Sequence, residues 1–182
     1  TFTISGGADG ALQLTIKAQG DAGATRWLHA NLTSGVTIQA RSPRGHFTLG
    51  LRSRDRLAFV SGGSGATPMI AMLRHLADTE PLADVAWFHA ARAPAEVLFA
   101  AELAELQARM PNLSVAVSVS RPAPGWFGYR GRISRTLLAA MSQADNTPWM
   151  QPCRPVAGLE THRAVGSAWL AGLGLPDVAP DR

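Results

Sequence analysis

Residues 58–73 read AFVSGGSGATPMIAML. An apolar strand-like run feeds a glycine-rich turn, and the turn feeds a segment whose apolar residues recur at helical spacing. In such a connection Gly62, Gly63 and Gly65 let the backbone approach an anion with no Cβ in the way. The amides around Gly65 to Thr67 lie at the positive end of the helix dipole, and Thr67 adds a hydroxyl donor. No Lys-Ser or Lys-Thr pair follows the glycines, so this is not a Walker A loop, and the spacing is not GxGxxG. Triphosphate hydrolysis is therefore disfavoured. Taken alone, the turn fits a phosphate seat and a plain tight connection equally well.

The pattern continues outward from this turn. LAFVSG reads as a buried strand, SGATPMIAMLRHLAD as a helix, DVAWFHAAR as a strand, PAEVLFAAELAELQARM as a helix and LSVAVSVS as a strand. That alternation predicts an α/β nucleotide-binding domain with a parallel, doubly wound sheet over residues 51–182, its ligands at the carboxyl ends of the strands. WFGYRGRIS follows, then a helix in SRTLLAAMSQ, the poorly patterned NTPWMQPCRPVAGLE and a last helical stretch around HRAVGSAWLAGLG. Upstream, residues 1–50 read as antiparallel strands TFTIS, LQLTIKA, VTIQARS and HFTL, part of a β-barrel, separated by GGADG, DAGA, TSG and SPRG. One helix, ATRWLHANL, interrupts them, with Thr25 as its N-cap and Trp27, Leu28 and Leu32 on one face. Strand-like sequence begins at Thr1, which suggests an internal cut.

Composition narrows the function classes. The 182 residues carry 17 Lys and Arg against 13 Asp and Glu, a formal net charge of +4, and Lys17 is the only lysine. No basic run is interleaved with aromatics, so no nucleic-acid partner is expected. Cys153 is a single cysteine and can make neither an internal disulfide nor a cysteine metal site. The five histidines lack HxxxH or HExxH spacing and read as surface or packing residues. The five tryptophans read as core, Trp126 excepted. No GxSxG elbow supports a serine hydrolase. No run reaches the roughly 18 apolar residues of a membrane span, and no leader precedes the first strand, so a cytoplasmic setting is expected.

With these motifs in place, residues 1 to about 147 resemble the ferredoxin-NADP reductase superfamily, which includes flavohaemoglobin reductase domains and oxygenase reductases. VSGGSGATPM resembles its GGTGxTPM loop, which implies that Gly63, Gly65 and Thr67 bind a dinucleotide. FHAARAPAEVLFAAEL resembles its Arg-containing loop and Phe-bearing helix, and VSVSRPAPGWFGYRGRI its Ser-Arg turn, which implies Arg92, Ser120 and Arg121 around the adenosine ribose. Arginine forks and a hydroxyl suit a 2′-phosphate, favouring NADPH over NADH. TFTIS resembles the end of the flavin motif Arg-x-Tyr/Phe-Ser/Thr, which implies Phe2 on the isoalloxazine and Thr3 at its N5 edge. IKAQGDAGATRWLH resembles the segment that grips the flavin phosphate, with Lys17 and Thr25 as its carriers, although Asp21 and Ala22 replace its usual glycine pair. SPRGHFTL resembles GPxGxF, which closes the barrel.

The resemblance implies an enzyme that passes hydride from NADPH or NADH to FAD, with FMN as the alternative, and electrons onward to an iron-sulfur or haem protein or domain. No side chain is implied as a catalytic acid, base or metal ligand. The family's CGPxxF/M and aromatic tail are replaced here by WMQPCRPVAGLETH and PDVAPDR, leaving Cys153 as a loose equivalent and residues 150–165 out of pattern. A shifted reading frame across that stretch would explain it. The rival reading is a catalytically incomplete NAD(P)-binding fragment of a longer reductase.

Overall fold

The computed structural model describes residues 2–8, 10–51 and 56–142. Cys153, the atypical 150–165 segment and the helix expected around residues 162–174 lie outside the described residues.

The centre is a four-stranded parallel sheet. Strands β3 (Arg56–Gly62), β4 (Asp84–Ala91), β5 (Leu113–Val119) and the short β6 (Tyr129–Arg130) stand side by side in chain order. Helices α2 (Ala66–Thr79) and α3 (Ala100–Arg109) link the first three strands, and α4 (Arg135–Ser142) follows β6. The larger core joins Ile70, Leu73 and Leu76 of α2 and Leu103 and Leu106 of α3 to Phe59, Val85, Trp87, Val115 and Val117 of the sheet. A smaller cluster on the opposite face joins Met141, Leu137 and Leu138 of α4 to Ala86, Phe88 and Ala116. Helices therefore cover both faces, as a doubly wound sheet requires. The spatial order of these four strands follows the chain, so no reversal of strand order occurs among them. Because β4 is covered on both sides, Val85 to His89 are all buried, which is why its sequence is continuously apolar rather than alternating.

The expected single helix over PAEVLFAAELAELQARM is broken in two. Pro94–Glu96 form a 3-10 turn, and Phe99 takes a left-handed conformation (φ 59°) before α3 begins. The apolar spacing is satisfied in either arrangement. Val97, Leu98 and Phe99 pack against the larger core, and that packing sets the break.

The N-terminal region departs further from expectation. Among its described residues only β1 (Ile4–Gly6) and β2 (Gln13–Leu14) pair, antiparallel, with Ile4 opposite Leu14. The rest of LQLTIKA and all of VTIQARS form no strand, and HFTL gives way to a 3-10 turn over Leu49–Leu51. Alternation supplies a strand with a face, but only a neighbour supplies hydrogen-bond partners, and among the described residues none lies beside these segments. Val36 and Ile38 accordingly stay 41% and 45% exposed. Helix α1 (Ala24–Asn31) is present but buries none of its residues. Trp27, 53% exposed, is thus not a core tryptophan, whereas Trp87 is fully buried. Thr25 is not the N-cap either. Gly23 occupies that position at φ 102°, and the Thr25 hydroxyl accepts the Gln19 amide at 3.1 Å.

The hairpin is held to the sheet domain through Arg74 of α2. Its guanidinium donates two bonds to Glu102 of α3, at 2.5 and 2.8 Å. Its remaining nitrogen donates to the Ser5 carbonyl at 2.6 Å and to Gln13 Oε1 at 2.5 Å.

Candidate functional site

All strands of a parallel sheet end at the same edge, and this edge gathers most of the sequence candidates. Gly62 at the end of β3 is in register with Ala90, and Ala91 with Val119. The chain leaves β3 through Gly63–Gly65, β4 through Arg92 and β5 through Ser120 and Arg121. Backbone bonds tie these exits together: Ser120 N–H donates to the Ala91 carbonyl at 3.1 Å, and Arg121 N–H to the Arg92 carbonyl at 2.7 Å. Arg92, Ser120 and Arg121 are all exposed there.

The glycine turn is built to be approached. Gly63 sits at φ 50°, which suits glycine, and a Cβ added there would meet nothing within 4 Å. Gly65 is more telling. Its φ of −62° suits any residue, and a Cβ there would also meet no neighbour within 4 Å. Neither backbone strain nor protein packing calls for glycine at 65. A close ligand would, and an open cradle at the N-terminus of α2 suits an anionic group.

Two details differ from the sequence reading. The Ala66 amide is not free for a ligand, because it donates back to the Gly63 and Ser64 carbonyls inside the 3-10 turn. Thr67 is buried, and its hydroxyl donates to the Ser64 carbonyl at 3.0 Å, so its proton braces the turn from within.

Beneath the turn lies a polar network that sequence reasoning missed. Trp87 Nε1 donates to Ser61 Oγ at 2.8 Å, and Ser61 Oγ lies 2.9 Å from His89 Nδ1. The Ser61 oxygen has lone pairs for both neighbours, so the direction of its bond to His89 Nδ1 follows the imidazole tautomer, and the other ring nitrogen is Nε2. That Nε2 is buried without a partner among the described residues, and burial lowers the His89 pKa to about 4. The signal was present in the sequence as a polar residue near the carboxyl end of each of two otherwise apolar runs, Ser61 and His89, which the register places side by side.

On the N-terminal side, Phe2 and Thr3 are exposed ahead of β1, with Phe2 at 43%. Lys17 reaches across to the sheet edge, where its Nζ pairs with the Glu96 carboxylate. Lys17 therefore meets the Arg92 and Arg121 neighbourhood, whereas Thr25 is engaged with Gln19. A groove of about 530 Å³ lies elsewhere, between the hairpin and the flanks of α2 and α3. Both arginines that line it are already committed, Arg74 to Glu102, whose contact raises its pKa, and Arg109 to Asp78.

Comparison with known proteins gives the family. The family described as the oxidoreductase NAD-binding domain matches residues 59–153. The stachydrine N-demethylase reductase subunit Stc4 of Rhizobium meliloti (strain 1021) is 35% identical over 96% of this chain and 49% of its own length. The glycine betaine monooxygenase reductase subunit of Pseudomonas aeruginosa (strain UCBPP-PA14) is 31% identical over 76% of this chain and 38% of its own. The chain thus spans half or less of the length of these relatives. Among solved structures, the flavohem-like FAD/NAD-binding domain of nitric oxide dioxygenase from Vibrio cholerae O1 biovar El Tor superposes with a TM-score of 0.65 at 26% identity. That match covers 74% of this chain and 57% of the other.

Proposed function

The chain belongs to the oxidoreductase NAD-binding family, of the ferredoxin-NADP reductase type, and on that premise we propose that it seats NAD(P)H at the carboxyl edge of its sheet and delivers hydride to a flavin. The observation that carries the proposal is Gly65, a glycine required by neither conformation nor packing at the mouth of a helix N-terminus. Residues 1–50 form the flavin-side unit and 51–182 the nucleotide unit in this reading.

Within it, Gly63 and Gly65 admit the phosphates and Thr67 fixes the turn that presents them. Arg92, Ser120 and Arg121 take the adenosine ribose, and two guanidinium groups beside a hydroxyl favour NADPH over NADH. The exposed Phe2 ring offers a face to the flavin, with Thr3 beside it, while Lys17 and Thr25 would have to leave Glu96 and Gln19 to reach the flavin phosphate. When bound, the flavin, FAD rather than FMN, supplies the two-electron acceptor chemistry. The protein's part is to align the two rings and exclude water, so no side chain serves as acid or base. Both relatives are named as reductase subunits, of a demethylase and of a monooxygenase, which supports a separate oxygenase component with an iron-sulfur or haem centre as the electron acceptor. No helix among the described residues is long and apolar enough to cross a membrane. A cytoplasmic setting suits NAD(P)H supply.

A second reading has its own support. Among the described residues the flavin side has one short hairpin and otherwise unpaired segments, which suits an NAD(P)-binding part that works only within a longer reductase. One experiment separates the two. With FAD added anaerobically, NADPH should bleach the flavin band near its stoichiometric amount. Dinucleotide binding without bleaching assigns the chain to the second reading, and neither binding nor bleaching rejects both.

A further inference from the structure

Glu96 stands among cations at the edge proposed to hold the adenosine ribose. It closes the 3-10 turn Pro94–Glu96, four residues beyond Arg92, and its carboxylate pairs with Lys17 from the N-terminal unit. Arg121 is fixed beside Arg92 by the 2.7 Å backbone bond between them. Lys17 first, then Arg92 and Arg121 through space, hold the Glu96 carboxyl below its ordinary range, so it carries a full negative charge at neutral pH. Lys17 thus pairs with this anion directly, and Arg92 and Arg121 act on it through space.

We propose that Glu96 is a specificity-determining residue for the dinucleotide: its fixed charge offsets part of the attraction of Arg92 and Arg121 for a 2′-phosphate and narrows the preference for NADPH over NADH. The inference rests on the assignment of those two arginines to the ribose end. A 2′-phosphate brings about two negative charges to the site, and a ribose 2′-hydroxyl brings none. A carboxylate there therefore repels the first and leaves the second unaffected, or accepts its hydrogen. Because the group is only partly buried, screening limits the effect to a modest factor that weakens with salt.

The test measures dissociation constants by calorimetry at low ionic strength for NADPH, NADH, 2′,5′-ADP and 5′-AMP. It uses the 182-residue chain and its Glu96→Gln and Arg121→Ala variants, with melting temperatures as a check on folding. Glu96→Gln is expected to tighten NADPH and 2′,5′-ADP about three- to tenfold and to leave NADH and 5′-AMP within about twofold. Arg121→Ala is expected to weaken NADPH more than NADH. If Arg121→Ala behaves so while Glu96→Gln shifts both cofactors equally or neither, Glu96 is only a latch for Lys17 and the inference is overturned while the ribose assignment stands. If Arg121→Ala changes neither cofactor, the ribose assignment itself falls and takes the inference with it.

Discussion

At the scale of single residues, a buried histidine underlies this edge. His89 is 1% exposed and linked through Ser61 to the Trp87 indole, so β3 and β4 are joined by side chains directly below the glycine turn. The folded protein holds this imidazole neutral, with a pKa of about 4 against 6.5 for the free group. The unfolded chain therefore binds the proton more readily. The stability that goes with the neutral ring is complete above about pH 6.5 and is lost as the pH falls toward 4, by on the order of 3 kcal/mol. His89→Gln keeps a hydrogen-bonding partner for Ser61 but does not titrate. Its unfolding free energy should be flatter than the wild type's between pH 6.5 and 4 in chemical denaturation at stepped pH. Parallel curves for the two proteins would show that His89 is not buried neutral. Thr25 and Glu96 mark what single-residue reading misses. A hydroxyl ahead of an apolar helix suggests a cap, but Gly23 takes the capping place. The significance of Glu96 depends on a lysine 79 positions away.

At the scale of elements, the hairpin and the sheet unit meet through Arg74, which also lies 5.8 Å over the Phe99 ring. Arg74→Leu keeps an apolar stem against that ring and deletes its bonds to Ser5, Gln13 and Glu102. The expected cost is about 1–3 kcal/mol, concentrated in the docking of the hairpin. Amide exchange at residues 4–14 should accelerate while β4 stays protected. Uniform acceleration would mean that the two parts unfold as one. The run β3–α2–β4–α3–β5 was legible in the sequence because each strand is a short apolar run bounded by turn residues and each helix has a periodic apolar face. The VTIQARS stretch misled because alternation is local whereas strand pairing is not. The break at Phe99 was hidden for a related reason, since core packing rather than local propensity fixes it.

At the scale of the molecule, the parallel sheet brings three loop exits to one edge, and Lys17 carries the N-terminal unit to the same place. The site was legible where it depends on the glycine turn and the strand ends. The placement of Phe2 and Thr3 was less so, because their surroundings depend on strands that do not pair here. Two concave surfaces compete as the seat of the dinucleotide: the carboxyl edge, and the groove between the hairpin and the flanks of α2 and α3. The direct test is hydrogen-exchange mass spectrometry of the chain with and without saturating NADPH. Protection is expected in peptides covering Gly62 to Thr67 and Val119 to Arg121, with residues 7–13 and 102–109 unchanged. Protection confined to those latter peptides, or none at all, would contradict a dinucleotide seat at the carboxyl edge.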